Sequence, residues 1–149
     1  MKKILIGILI LLLIIGAAIG YSLNNKIKNK DIDNYNDSYE EYLNLDIRGS
    51  TLVSLMNRAI NQNEKNNIEK NNDGEYIEND EDSLKIYIKF VDRDTIFSFE
   101  KINSLGMDQF ASNFSASLFR CYKIDHHEST DLVSRMYFEE VEDFENIGN

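Results

Sequence analysis

With 149 residues and a formal net charge of −10, the chain has room for one domain of ordinary size and one additional segment. Setting aside residues 1–21, which include Lys2 and Lys3, leaves 128 residues with a net charge of −12. A surface that acidic repels phosphate backbones, which argues against nucleic-acid binding. Since Cys121 is the single cysteine, no intrachain disulfide forms. We expect a buried apolar thiol in a strand, the alternative being a reactive thiol or an intermolecular disulfide.

The first notable segment is an uncharged apolar run, Ile4 to Tyr21, with twelve Ile or Leu residues among eighteen. As a helix it would be about 27 Å long, close to the ~30 Å hydrocarbon thickness of a bilayer. We therefore predict a transmembrane anchor over residues 1–21. A cleaved signal peptide is the alternative, because Lys2 and Lys3 precede the run and small residues follow it.

Placement of the rest of the chain follows from that segment. A very short N-terminus ahead of a long apolar run favours a single-pass membrane protein whose soluble part lies outside the cytoplasm, although flanking lysines are nearly balanced. Gly16 and Gly20 form a GxxxG pair, a candidate helix-dimer contact that would allow a homo-oligomer. Glycine is also common in membrane helices, so the pair alone does not establish a dimer.

Beyond the anchor, two helices are predicted. The polar residues 22–37 indicate a stalk, and Ser38 with Glu41 forms a capping-box pattern at the start of a short helix, Ser38 to Leu45. A second helix begins at Gly49, where apolar residues recur at helical spacing on one face. That face predicts packing against a core, and it consists of Leu52, Leu55, Met56, Ala59 and Ile60.

The second half alternates between strand and helix patterns. Residues 84–90 and 95–101 predict a hairpin around Asp92, Arg93 and Asp94, with Phe97 and Phe99 on one face. Residues 104–115 have helical spacing in spite of Gly106. Residues 118–127 and 132–141 then predict a second hairpin.

These elements together predict an α+β fold. An N-terminal transmembrane helix precedes two helices and a four-stranded antiparallel sheet of two hairpins, with a helix between them. The predicted division is an anchor at residues 1–21, a stalk and short helix at 22–47, the soluble domain at 48–142, and a frayed tail at 143–149.

Several segments carry a family resemblance: GSTLVSLMNRAINQNEKN, DGEYIENDEDSLKI, EKINSLGMDQF and FRCYKIDHHESTDLVSRMYFEE. The chain resembles a family of small membrane-anchored proteins of clostridial bacteria, which has no assigned chemistry. The resemblance covers Gly49 to Glu140 and implies membrane location and a single soluble domain. Where that family has Tyr-His and Thr-Gly, this chain has His126-His127 and Thr130-Asp131, and loss of the glycine makes a tight turn harder.

A broader architectural likeness is to type IV pilins and pseudopilins, which also join an N-terminal hydrophobic helix to an antiparallel sheet. Their processing signal has a Gly before the hydrophobic stretch and a Glu inside it. Here only Met1, Lys2 and Lys3 precede Ile4, and the stretch contains no acid.

Candidate site residues are few. Asp125, His127 and Glu128 are weak candidates for a metal site, since strand alternation would place Asp125 and His127 on one face. Solvated residues at a hairpin end are the simpler interpretation. No nucleophile motif, phosphate loop or cofactor signature occurs, so we predict neither a catalytic residue nor a cofactor.

The sequence therefore predicts a non-enzymatic accessory or interaction domain of a bacterial envelope, tethered to the membrane and binding a protein partner. The sheet edge, or an exposed aromatic such as Tyr87, would make the contact. The alternatives are a pilin-like assembly subunit and a metal-dependent enzyme.

Overall fold

The computed structural model describes residues 21, 22 and 28–142 of the chain. The predicted anchor, with Gly16 and Gly20, lies outside the described residues apart from Tyr21, as does the predicted frayed tail at 143–149. No helix within the described part is both long enough and apolar enough to cross a membrane. The chain divides into two units, Met1–Tyr35 and Asn36–Asn149; the fold below is that of the second unit, to which the first helix contributes residues 36–40.

The fold is α+β, with three helices and five strands in the described residues. The helices are α1 (residues 28–40), α2 (Gly49–Lys65) and α3 (Phe99–Phe114); the strands are β1 (Asp46–Arg48), β2 (Lys85–Lys89), β3 (Ile96–Ser98), β4 (Leu118–His126) and β5 (Val133–Glu140).

The predicted helix from Ser38 to Leu45 is wrong in its bounds. Helix α1 is already helical at residue 28 and ends at residue 40, so Ser38 lies inside it and does not cap a start. The Ser38 carbonyl oxygen instead accepts a 2.6 Å hydrogen bond from the guanidinium of Arg58 on α2. That guanidinium also lies 3.9 Å from the ring centroid of Tyr39. Tertiary contacts with α2 therefore hold the end of α1 where the sequence indicated a capping box.

Helix α2 confirms most of the predicted apolar stripe, since Leu52, Leu55, Met56 and Ala59 are buried, whereas Ile60 is only partly buried. Gly49 at its first position is required by close packing. A Cβ atom there would lie 1.9 Å from the carbonyl oxygen of Phe114, at the end of α3. The two helices can approach this closely only because residue 49 has no side chain.

The sheet differs from the predicted four-stranded antiparallel arrangement. It has five strands in the order β1-β4-β5-β2-β3, and β2 pairs with β5 in parallel while the other pairs are antiparallel. Both predicted hairpins, β2 with β3 and β4 with β5, are confirmed. The sheet is mixed because the two hairpins meet along β2 and β5, whose relative direction is set by the connection through α3 and not by either hairpin.

The turn between β4 and β5 forms with Asp131 at the position where the resembling family has a glycine. Asp131 adopts the left-handed conformation with φ of 60°, and its backbone N–H donates to the His127 carbonyl oxygen at 3.0 Å. Aspartate tolerates this conformation better than most residues with a Cβ atom. A longer turn with one left-handed residue thus replaces a tight one.

The predicted second strand of the first hairpin, residues 95–101, is too long at its C-terminal end. Strand β3 stops at Ser98, whose side-chain oxygen accepts a hydrogen bond from the Lys101 N–H at 3.2 Å and caps α3. Phe99 therefore starts a helix and does not share a strand face with Phe97. Helix α3 is interrupted at Gly106, which has φ of 114° and ψ of 104°.

The core lies between α2, α3 and one face of the sheet. Its aromatic part is a cluster in which Phe90 contacts Phe110, Phe114 and Phe119, with ring centroids 5.0–6.2 Å apart. Cys121 is fully buried in β4, as expected. Burial of these rings is the main contribution that orders β2, α3 and β4 around one another.

Candidate functional site

The candidate metal ligands Asp125, His127 and Glu128 point to separate partners. The Asp125 carboxylate in β4 accepts a 3.1 Å hydrogen bond from the Lys123 ammonium. His127 is 5 % exposed, and its Nε2 lies 2.7 Å from the Ser83 carbonyl oxygen. Because a carbonyl only accepts, this nitrogen carries the proton and donates it. Register shifts between β4 and β5 near Asp125 and His126 disturb the simple alternation from which a shared face was expected.

The geometry does not assemble a metal site from these residues. Within the part of the chain that the structure describes, no group of three or more His, Cys, Asp or Glu side chains lies close enough to hold a metal ion. His126 is directed elsewhere, with its Nε2 2.7 Å from Glu40 Oε1 on α1. The two histidines thus contact different segments, and within the described residues neither is hydrogen-bonded to a serine hydroxyl or a cysteine thiol as a base would be.

His127 and Glu128 do line a polar cleft of about 410 Å³, whereas Asp125 does not. The cleft lies between the loop before β2 and the loop between β4 and β5. Its other walls come from both loops and from the start of β5, namely Glu78, Asn79, Asp80, Ser83, His126, Ser134 and Arg135.

Polar groups of the cleft mostly satisfy one another. The Arg135 guanidinium donates to the Glu78 carboxylate, and this contact holds the pKa of Glu78 below its usual range. Asp80 Oδ1 accepts the Glu128 N–H at 2.9 Å, and the Asp80 carbonyl oxygen accepts the Ser129 hydroxyl. These bonds join the two loops, so a structural role explains Glu78, Asp80 and Arg135, whereas the buried Ser134 Oγ of the cleft has no hydrogen-bond partner among the described residues.

Tyr87, predicted as an exposed contact residue, is half-buried and already engaged. Its hydroxyl donates to Glu78 Oε1 at 2.7 Å, and its ring stacks on Tyr137 with centroids 5.2 Å apart. Burial raises the pKa of the Tyr87 hydroxyl, and the Glu78 carboxylate raises it further. Tyr87 therefore stabilises the sheet face and is not a free anchor for a partner.

A second concave surface lies beside β3, which is the last strand at its edge of the described sheet. We call it the β3 groove, and its volume is about 180 Å³. It is lined by the turn before β3, by β3 and by both halves of α3, through Phe90, Arg93, Phe97, Ile102, Leu105, Gly106, Gln109, Phe110, Asn113 and Phe114.

The break in α3 at Gly106 shapes this groove. A positive φ of 114° is unfavourable for residues with a side chain, and glycine is the residue that adopts it readily. The two halves of α3 diverge from a straight helix at this position, and Leu105 just before it is 60 % exposed. A large aliphatic side chain thus lies at the rim of an apolar groove without being covered.

Arg93 is the only charged residue among the described residues lining the groove. Its guanidinium carbon lies 5.8 Å from the Phe90 ring centroid and 5.6 Å from that of Phe97. The ion pair with its neighbour Asp92 is 3.8 Å long, and both side chains are more than half exposed. Such a pair is weakly held, so the Arg93 charge is accessible to another anion.

Sequence reasoning missed the β3 groove. The available signal was Gly106 in the middle of a helical stripe, together with Leu105, which is apolar yet lies off that stripe. Neither residue indicates a groove until β3 and α3 are placed side by side.

No protein-family model, no curated protein sequence and no solved structure matches this chain. The fold itself defines the class of the protein as a small α+β domain with a five-stranded mixed sheet in its described residues.

Proposed function

We propose that the chain is a non-enzymatic, membrane-tethered interaction domain of a bacterial envelope, whose soluble part lies outside the cytoplasm and binds a protein partner through the β3 edge. Two features support the proposal. The run from Ile4 to Tyr21 is uncharged and of bilayer length. The β3 edge is bordered by apolar side chains that the domain leaves exposed.

The exposed apolar residues at this edge are the observation that carries the proposal. Val91, Ile96 and Leu105 are 47 %, 49 % and 60 % exposed, and they lie in or beside the segment from the end of β2 to the middle of α3. An edge strand presents unpaired backbone groups that an incoming strand can pair with. Proteins commonly use such an edge, with neighbouring pockets for alternate side chains, to bind an extended peptide.

Location can be tested by fractionation of cells that produce the full-length chain. We expect the protein in the membrane fraction, with the soluble domain cleaved by protease added to intact spheroplasts. Recovery of the chain in the cytosol with its first residues intact would refute the tether.

Partner binding can be tested with a photo-crosslinking amino acid in place of Ile96, in the bacterium that encodes the chain. A matched probe at Asp73, exposed in the loop between α2 and β2, controls for non-specific capture. We expect one envelope protein to crosslink reproducibly from position 96 and not from position 73. Identical products from both positions, or none from 96, would refute the proposal. Crosslinks between copies of the chain would support the pilin-like assembly subunit instead.

A further inference from the structure

We infer that the β3 groove selects an extended partner segment in which a large apolar residue and an acidic residue stand two positions apart, so that both side chains face the groove. The apolar side chain would enter the groove and the carboxylate would pair with Arg93. This inference rests on the proposed function and adds the chemistry by which the partner is recognised.

The size of the groove favours a side chain of a protein over a free small molecule. Sites for small ligands usually have volumes of about 300–1,000 Å³, whereas the β3 groove measures about 180 Å³. Its described lining is mostly aromatic and aliphatic, including Phe90, Phe97, Phe110 and the exposed Leu105, with Arg93, Gln109 and Asn113 as its polar members. One protruding aliphatic or aromatic residue would bury its surface there and cover Leu105 as well.

Charge determines which second side chain should face the groove. The whole chain has a net charge of −10, so its average surface repels acidic partners. The β3 groove differs locally, because Arg93 is the one charged residue in its described lining, whereas the neighbouring Asp92 and Asp94 lie outside that lining. Guanidinium groups bind carboxylates through two parallel hydrogen bonds, and a neighbouring apolar contact that excludes water strengthens them.

The position of β3 supplies the backbone part of the interaction. Ile96, Phe97 and Ser98 pair with β2 on one side, and β3 ends the described sheet on the other. A segment added along β3 would direct alternate side chains to the two sheet faces. The residue on the same face as Phe97 would reach the groove, and Arg93 lies in the turn just before the strand.

The experiment uses the full-length chain in detergent micelles on an array of hexapeptides, Thr-X-Val-Z-Val-Thr, with all pairs of amino acids at X and Z, which share one face of an extended peptide. We expect pairs of a large apolar residue with Asp or Glu to be retained at least about tenfold better than the same pairs with Lys or Arg. Arg93→Glu should reverse that preference, while Lys65→Glu, the same charge change outside the groove, should leave it unchanged. Leu105→Ser should weaken retention of all these peptides, and circular dichroism checks that each variant is folded.

Retention of the same peptides by wild type and Arg93→Glu, or of no peptide by the wild type, would overturn the inference. Failure here is distinguishable from failure of the proposed function. If the partner captured from position 96 is captured equally well in the Arg93→Glu background, the protein is an interaction domain but the acidic specificity is wrong. If no partner is captured in either background, the proposed function itself fails.

Discussion

Lys85 Nζ lies 2.5 Å from Glu100 Oε1, and this ion pair joins the start of β2 to the first turn of α3. The two side chains are only 6 % and 5 % exposed. Glu100 Oε1 also accepts the Tyr76 backbone N–H at 3.3 Å, whereas its Oε2 has no hydrogen-bond partner among the described residues. The pair therefore aligns three segments, but it carries the desolvation cost of two buried charges.

Removing one member of this pair should destabilise the fold far more than replacing both. Glu100→Ala leaves the Lys85 ammonium buried and unpaired, and we expect it to lower the free energy of unfolding by about 3–5 kcal/mol. The double variant Lys85→Met with Glu100→Leu should recover most of that loss, because neither charge remains. Urea unfolding followed by circular dichroism measures both. A double variant no more stable than the single one would contradict this account.

The buried amide of Asn63 should be equally sensitive. Its side chain is fully buried, donates to the Leu84 carbonyl oxygen and accepts from the Leu84 N–H, both at 2.8 Å. Asn63→Ala leaves both backbone groups without a partner, for an expected loss of about 2–4 kcal/mol. Asn61→Ala on the exposed side of α2 is the matched control and should change stability by less than about 0.5 kcal/mol. Equal losses in the two variants would show that the Leu84 bonds contribute nothing.

Acid should weaken the fold through Glu78. Hydrogen bonds from Arg135 hold the pKa of this carboxyl below its ordinary value of 4.5, the Tyr87 hydroxyl adds to the effect, and partial burial opposes it. The folded state thus favours the ionised form, so this contribution to stability is complete above about pH 4.5 and is lost as the pH falls through the lower folded-state pKa. Glu78→Gln should flatten the dependence of the urea midpoint on pH between about 6 and 3. A variant as acid-sensitive as the wild type would exclude Glu78 as a cause.

Cys121 should be inert in the folded protein. Burial raises the pKa of its thiol from 9.0 to about 11, and the side chain is inaccessible in β4. Since the thiolate is the reactive form, a shift of this size alone lowers its population about 100-fold near pH 8. We expect negligible reaction with Ellman's reagent until guanidinium chloride unfolds the chain. Rapid labelling of the native protein, or a disulfide-linked dimer on a non-reducing gel, would instead support the reactive-thiol alternative.

Local sequence patterns predicted much of the fold. Leu52, Leu55, Met56 and Ala59 recur every three or four residues, a spacing that places their side chains on one side of a helix. Ile86 and Ile88 are two residues apart, a spacing that places their side chains on one face of a strand. Strand β1 was missed because it has three residues, of which only Ile47 is buried. The strand predicted over residues 95–101 is wrong beyond Ser98, because Phe99 continues the apolar alternation of a strand although Ser98 caps a helix there.

The candidate site was less predictable. Asp125, His127 and Glu128 lie within four positions of the chain, yet the Asp125 carboxylate contacts Lys123, the His127 ring contacts the Ser83 carbonyl oxygen, and the Glu128 backbone N–H donates to Asp80. Arg93 and Leu105 both line the β3 groove, although a turn, strand β3 and half of α3 separate them along the chain. Such groupings depend on how helices and strands pack together, and the spacing of residues within one segment does not predict that packing.

By itself, the sequence determined the apolar run of bilayer length, the acidic surface, the amphipathic faces of α2 and β2, and the two hairpins. Each of these depends on neighbours a few residues apart, where backbone geometry decides which side chains share a face. Only the tertiary structure decided the parallel pairing of β2 with β5, the burial of Lys85 beside Glu100, and the opening of a groove at Gly106. These follow from the free energy of packing distant segments together, and that energy belongs to the assembled core and not to any one segment.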